Sequence, residues 1–230
     1  MQISIVIPTL NEERNIQRLM PYLKGLPHQV YLKEVIVSDG GSTDNTVAVA
    51  KKAGARVLQA PSRGRAVQMN HGAAQSTGDM LYFVHADVIP PKTCLLDIVE
   101  ATQEGHCMGC FAYDFDSRAT LLRVNAFLTT FKWLASGGGD QTFYIPKKVF
   151  KELGCFDEKL PIMEDFDFVK RAKKKYPFHL IPKKVIVSAR KYEQNSYLKV
   201  QIANVLVFSL FKMGVSPHKL ATWYRQLLFK

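Results

Sequence analysis

Cysteine is scarce in this sequence: four thiols in 230 residues cannot staple a small secreted scaffold. A reducing compartment, with the cytoplasm as the default, is the simpler expectation. Long apolar runs are also missing. No stretch reaches the roughly 18 residues that a spanning helix needs, and the longest candidate, Ile202 to Phe211, is interrupted by Asn204 and Ser209. The opening MQISIVIPTL lacks a basic segment and a small-residue cleavage site, so it is expected to be a core strand rather than a signal peptide. Neither an internal repeat nor a low-complexity linker occurs. With 47% apolar and 22% charged residues the composition is globular, which excludes a disordered, collagen-like or coiled-coil chain. The length suits one domain.

Acidic residues run short only towards the end. Residues 1–146 hold 13 basic and 13 acidic side chains, whereas residues 147–230 hold 18 and 7, so the whole net charge of +11 sits in the last third. A neutral body with a basic end is suited to an anionic partner, whether nucleic acid, acidic lipid or phosphorylated substrate.

The first ninety residues alternate strand and helix. Ile3, Ile5, Val6 and Ile7 form a β-branched run stopped by Pro8. Asn11 is the predicted N-cap of a helix whose apolar positions are Ile16, Leu19, Met20 and Leu23. Further strands are predicted at 35–37, 56–58 and 80–84, with helices between them. Such a pattern predicts an α/β fold, a mostly parallel central sheet with helices on both faces. Parallel sheets of this kind bind ligands beyond the carboxyl ends of their strands. The polar clusters Pro8-Thr9-Asn11-Glu12, Asp39-Gly40-Gly41 and His85-Ala86-Asp87 each follow a strand directly. That rim is the predicted site.

Beyond Pro91 the alternation loosens. Helices are expected at 95–102, 120–134, 147–153 and 164–175, and strands at 107–115, 141–145 and 185–187. A glycine hinge lies at 137–139, and a helical extension at 196–211 and 217–228 closes the chain. Cys107 and Cys110 have the spacing of half a zinc site. No second pair accompanies them, so a strand with two buried thiols is the expectation.

Taken together, Ile5-Val6-Ile7-Pro8-Thr9-Leu10-Asn11-Glu12, Val37-Ser38-Asp39-Gly40-Gly41-Ser42-Thr43-Asp44 and His85-Ala86-Asp87 resemble the family 2 glycosyltransferases. Gly64 to Asn70, Gly139-Asp140-Gln141 and Glu164-Asp165 resemble one bacterial subgroup of that family, found beside radical-SAM and selenium or arsenic genes. The resemblance covers essentially the whole chain. It implies the GT-A fold of nucleotide-diphospho-sugar transferases, a Rossmann-like sandwich. On that reading 1–90 is the nucleotide-binding half, 91–190 the acceptor and catalytic half, and 191–230 a basic helical tail.

The resemblance implies a role for each motif, and the chemistry of the residues can be weighed beside it. Asp39 ends a strand in a glycine turn, where its carboxylate can accept from a base or ribose. It can also organise the turn itself. Pro8, Thr9, Leu10, Glu12, Gly40 and Ala86 would wall the nucleoside pocket, although a first-turn Glu12 also has a purely helical explanation. Arg63 and Arg65 flank Gly64 before a helix, a natural diphosphate clamp, and Gln68 and Asn70 would reach base or sugar from the next turn. Asp87 would hold Mn²⁺ or Mg²⁺. The family pattern has two aspartates around one residue, but here the first is His85, which suits Mn²⁺ better than Mg²⁺ and can equally be a packed strand-end histidine. Asp165 is the expected general base of an inverting transfer, with Glu164 in support. Capping of a helix that ends in Lys173-Lys174-Lys175 is the alternative. Gly139, Asp140, Gln141 and Arg190 would lie near donor sugar and acceptor.

A UDP-sugar is the expected donor, and the acceptor a hydroxyl on a small molecule or, at a membrane surface, on a polyprenyl phosphate. The basic tail can lie peripherally on an anionic membrane or pack on the domain with its lysines in water. Nucleotidyl transfer is disfavoured, because no lysine-rich glycine loop follows the first strand. Nucleic-acid binding is disfavoured by the absence of a recognised motif.

Overall fold

The computed structural model describes residues 1–117, 119–128 and 142–228. Its strands are β1 (Ile3–Thr9), β2 (Leu32–Asp39), β3 (Arg56–Gln59), β4 (Met80–Phe83), β5 (Val88–Ile89), β6 (Met108–Phe115), β7 (Phe143–Pro146) and β8 (Phe178–Val187). They form one sheet in the order β3-β2-β1-β4-β7-β6-β8-β5. The α-helices are α1 (Glu13–Lys24), α2 (Thr46–Lys52), α3 (Arg65–Gln75), α4 (Cys94–Gln103), α5 (Thr120–Leu128), α6 (Lys147–Glu152), α7 (Glu164–Ala172), α8 (Arg190–Glu193), α9 (Tyr197–Lys212) and α10 (Pro217–Leu228).

The sheet is α/β in the sense its sequence predicts. Ile3, Ile5 and Ile7 of β1 join the cluster that holds Ile16, Leu19, Met20 and Leu23 of α1 with Leu95 and Ile98 of α4. Val6 belongs to the opposite cluster, with Ala66, Met69 and Ala73 of α3 and Phe168, Val169 and Ala172 of α7. Both faces are therefore covered, which is why β1 reads as an almost continuous apolar run. Helix α3 lies very close to the sheet. A Cβ on Gly72 would stand 2.5 Å from Cγ1 of Val6, so glycine alone permits this approach.

Strand direction sets where ligands can meet the fold. Strands β1, β2, β3 and β4 are mutually parallel. Strand β7 runs against both β4 and β6, so β6 and its parallel partner β8 point the same way as β1. The carboxyl ends of β1, β2, β4, β6 and β8 consequently share one rim, and chain order reverses between β1 and β4.

Several predicted elements differ in detail. Asn11 is not an N-cap: it has φ 56°, and Glu12 takes the position before α1. Asparagine tolerates this left-handed conformation better than most residues. Strand β8 is far longer than 185–187. Its register with β6 jumps from Phe111 opposite Ile181 to Ala112 opposite Lys184. That irregularity absorbs Pro182, which cannot donate to the ladder. Helix α7 ends at Ala172 rather than 175. The predicted glycine hinge, the last six residues of the 120–134 helix and the first residue of the 141–145 strand lie outside the described residues. Cys110 is buried on β6, its thiol pushed up to about 12 by burial, and Cys107 stands just before the strand. Among the described residues no group of three or more His, Cys, Asp or Glu side chains is arranged to hold a metal ion.

The end of the sheet opposite the rim is tied by Glu34. Its carboxylate accepts from the Ser4 hydroxyl at 3.0 Å, from the Thr77 amide and hydroxyl at 2.7 Å each, and from Arg56 at 3.0 Å. Burial alone would raise this carboxyl, but the Thr77, Arg56 and Ser4 donors outweigh it, and the group titrates below its ordinary 4.5. A carboxyl depressed in the folded state stabilises above 4.5 and loses that contribution as pH falls through its folded value. Glu34→Gln should therefore cost about 2 kcal/mol at pH 7. In urea unfolding followed at several pH values, the difference from the parent should narrow below pH 4. An equal loss at pH 7 and pH 3 would assign the effect to packing instead.

Candidate active site

The end of β1 and the end of β2 are interlocked. The Asp39 carboxylate is buried and accepts four hydrogen bonds: from the Gly41 and Ser42 amides at 2.9 and 2.8 Å, the Ser42 hydroxyl at 2.5 Å and the Thr9 hydroxyl at 3.0 Å. These account for its usual lone-pair capacity. In this state Asp39 organises the glycine turn, and a ligand hydroxyl or N–H would have to exchange with one of the hydroxyl donors. Asn11 adds a second clasp, since its amide donates to the Ser42 hydroxyl at 2.8 Å while its side chain accepts from the Thr43 amide at 2.8 Å.

Pro8 and Gly40 are buried at the same edge, and Leu10 is exposed above it. The Gln68 side-chain amide donates to the carbonyls of Thr9 at 2.5 Å and Ser38 at 3.2 Å, and its side chain lies directly over Gly40. Gln68 thus pins α3 across the ends of β1 and β2. Asn70 is likewise committed to the frame, exchanging hydrogen bonds with the Phe156 backbone and donating to Glu158. Both amides hold the pocket's scaffold here, a use that α3's amphipathic pattern did not disclose.

Asp87 follows β4 by four residues, and its neighbour Ala86 is buried. Arg190, at the start of α8, reaches Asp87 Oδ2 at 3.2 Å and Glu12 Oε1 at 3.7 Å with the same Nη2 atom. One guanidinium therefore bridges two carboxylates that arrive from different elements. Burial pushes the Glu12 carboxyl above its ordinary 4.5, against the opposing pull of Asn15 and Arg190. Sequence reading placed Arg190 near a substrate; that it holds Asp87 and Glu12 could not be read from a separation of 103 residues.

Asp165 and His85 line one narrow crevice, of about 20 Å³, together with Met69, Phe83, Phe143, Phe156 and Val169. Asp165 occupies the first turn of α7 and its Oδ1 accepts from the Phe166 amide at 2.7 Å. Met163, immediately before the helix, has φ 68°, so the chain makes a left-handed turn to present Glu164 and Asp165. The three acids in the first turn of α7, Glu164, Asp165 and Asp167, have different partners. Glu164 is fully buried and accepts from Arg65 Nε, while Asp167 pairs with Arg171 at 2.8 Å. The Arg65–Glu164 pair fixes the guanidinium at the N-terminus of α3 and ties it to the helix carrying Asp165. Arg63 is exposed beside it. Gly139, Asp140 and Gln141 lie outside the described residues.

The candidate groups thus line up along a single edge. Asp39 and Thr9 are joined, Glu12 meets Asp87 through Arg190, and His85, two residues from Asp87, shares a crevice with Asp165, beside Glu164 and Arg65. The donor set around Asp87 fits a divalent cation of the kind that keeps one or two protein carboxylates and takes its other ligands from phosphate oxygens and water.

A Rossmann-like sheet with this strand order and a polar rim defines the GT-A class of nucleotide-sugar transferase folds, and solved structures of that class superpose on it. Mannosyltransferase PcManGT from Pyrobaculum calidifontis, solved with GDP-Man and Mn²⁺, matches with a TM-score of 0.69 at 16% identity, over 90% of this chain and 62% of that one. Glucosyl-3-phosphoglycerate synthase from Mycobacterium tuberculosis, solved with Mn²⁺, UDP and glucosyl-3-phosphoglycerate, matches with a TM-score of 0.63 at 21% identity, over 94% of this chain and 81% of that one. Residues 4–156 match the Glycosyl transferase family 2 profile, and the chain belongs to that family. Among characterised relatives, glucosyl-3-phosphoglycerate synthase of Mycolicibacterium smegmatis is 36% identical over 101 residues, 39% of this chain. The aligned part is about a third of that enzyme's length, 32%.

Proposed function

We propose that this chain transfers a sugar from a nucleoside diphosphate to an acceptor hydroxyl with inversion at the anomeric carbon, using a divalent cation at Asp87. The observation that carries the reading is the continuity of the rim from Asp39 through Glu12, Arg190 and Asp87 to His85 and Asp165. The nucleoside would sit against Thr9, Leu10 and the Asp39 turn, and the diphosphate between Arg65 and Asp87. A cation held by Asp87, with Glu12 nearby, would neutralise charge on the departing diphosphate. His85 is a further candidate ligand for Mn²⁺.

In the transfer step the acceptor oxygen forms a bond to the anomeric carbon as the bond from that carbon to the diphosphate oxygen breaks. The bonding pair leaves with the nucleoside diphosphate. The Asp165 carboxylate takes the proton of the acceptor hydroxyl, and the positive charge gathering on the sugar ring is relieved by the incoming oxygen. Glu164 acts through Arg65, whose guanidinium it orients towards the diphosphate. A UDP-sugar is the proposed donor. UDP and GDP-Man in the two structural neighbours make the base an experimental question.

A thermal-shift panel of UDP-, GDP- and dTDP-sugars, each with and without Mn²⁺, tests the reading. A ligand that binds only the folded chain raises Tm, by the equivalent of about 2.7 kcal/mol at a hundredfold excess over Kd. One donor should stand out, with a larger shift when the cation is present. A panel without any shift, with or without Mn²⁺, would sink the proposal.

A further inference from the structure

Helix α9 carries apolar side chains on two opposite faces, with Lys199, Gln201, Asn204, Ser209 and Lys212 set among them. Val200, Ala203 and Val207 pack inward, yet Leu198, Ile202 and Val205, on the opposite arc, are 67%, 57% and 64% exposed. A row of exposed apolar side chains of this kind is normally covered, by protein or by lipid. The exposed arc carries Leu206 as well and is flanked by Lys199 and Lys212, both facing solvent. Lys199 meets the Asn195 side chain at 3.0 Å and Lys212 stands over the Phe208 ring at 4.4 Å, and neither has a carboxylate partner among the described residues. From residue 194 to the end the sequence has five Lys or Arg and no Asp or Glu.

The apolar surface continues past α9. Tyr197, at its first position, lines a cavity of about 270 Å³ together with Tyr192, Ala189 and the start of α5 at Thr120, Leu121 and Leu122. Leu121 and Val124 of α5 are themselves more than half exposed. Glu193 is the acid at this cavity's edge. Ser117 and Ala189, also in its lining, follow the carboxyl ends of β6 and β8, so the cavity opens on the same rim as Asp87.

We infer that the exposed arc of α9, with the adjoining face of α5, docks on an anionic lipid bilayer. Charge decides between the two obvious covers. A second copy of the chain would set lysines against lysines, whereas anionic headgroups meet them with opposite sign while the apolar side chains enter the acyl boundary. At about 1.5 Å per residue the 16 residues of α9 extend roughly 24 Å, too short to span and suited to lying in the interfacial plane. Among the described residues no helix is long and apolar enough to cross a membrane, which agrees with peripheral docking.

The test needs no sugar transfer, so it stands or falls apart from the proposed reaction. The full chain is sedimented with vesicles of phosphatidylcholine alone and of phosphatidylcholine and phosphatidylglycerol in equal parts, at low and high salt. It should partition onto the anionic vesicles and be released by salt. Lys199→Glu with Lys212→Glu should lower partitioning at least about tenfold. Ile202→Glu with Val205→Glu should do the same without moving Tm, because both side chains are exposed in the folded chain. Equal binding to neutral vesicles, no binding, or binding indifferent to both double variants overturns the inference. Sedimentation velocity without lipid covers the rival: a dimer that Ile202→Glu with Val205→Glu dissociates would give this face to a second copy.

Discussion

Replacing Asp165 by asparagine should remove turnover by roughly 10²–10⁴-fold while leaving donor binding within a few-fold of the parent. The amide keeps the shape of the side chain and its bond to the Phe166 amide, so α7 should start as before. What it lacks is a basic oxygen to accept the acceptor proton. The donor that gives the largest thermal shift supplies the assay, with release of nucleoside diphosphate as the readout and the Tm shift as the measure of binding. Since the loss concerns only the transition state, kcat should fall and the donor's apparent KM should stay. A variant that loses the donor-induced Tm shift but keeps turnover at saturating donor would place the base elsewhere. Glu164→Gln makes the informative companion. Its buried carboxylate holds Arg65, so neutralising it should loosen the diphosphate clamp and raise donor KM before it touches kcat.

The parallel half of the sheet was legible because its signals are local. Apolar runs at 3–7, 35–37 and 80–84 each end in a polar cluster, and a parallel sheet places every such end on one rim. The cluster His85-Ala86-Asp87 could be assigned to that rim without knowing any contact. The second half was harder. Strand β7 enters against its neighbours, and nothing in Phe143–Pro146 announces direction. Strand β8 hid behind Pro182, whose cost is absorbed by a register jump that only its pairing with β6 creates. At the site, residue types were visible and their partners were not. Arg65 and Glu164 lie 99 residues apart, and Arg190 and Asp87 lie 103 apart. Such pairs follow from the way α3, α7 and α8 converge, which periodicity does not encode. Asn11 was misread for a related reason. Its side chain is equally able to cap a helix or to occupy a left-handed turn, and the Ser42 and Thr43 partners that decide the matter belong to another loop.

The convergence of Asp87 and Glu12 on a single guanidinium leads to the second large effect. Asp87→Ala should abolish the Mn²⁺-dependent part of the donor-induced Tm shift, with metal affinity falling on the order of a hundredfold, at least what loss of an outer-sphere partner costs. Any cation-independent donor shift, carried by Thr9, Asp39 and Arg65, should persist. Arg190→Ala should act in the opposite direction on the metal alone. The guanidinium already gives the two carboxylates a positive partner, so a divalent cation must displace or share it. Because Arg190 is half exposed, the competition is modest, about 1 kcal/mol or less, and removing it should tighten donor-free Mn²⁺ binding by no more than about fivefold. Calorimetric titration of Mn²⁺ into parent, Asp87→Ala and Arg190→Ala, without donor, separates the cases. Weaker Mn²⁺ binding in Arg190→Ala would mean that the arginine organises the carboxylates instead of competing for them. An unchanged Mn²⁺ affinity in Asp87→Ala would remove the cation from this end of β4, and with it the assignment of the diphosphate to the space between Arg65 and Asp87.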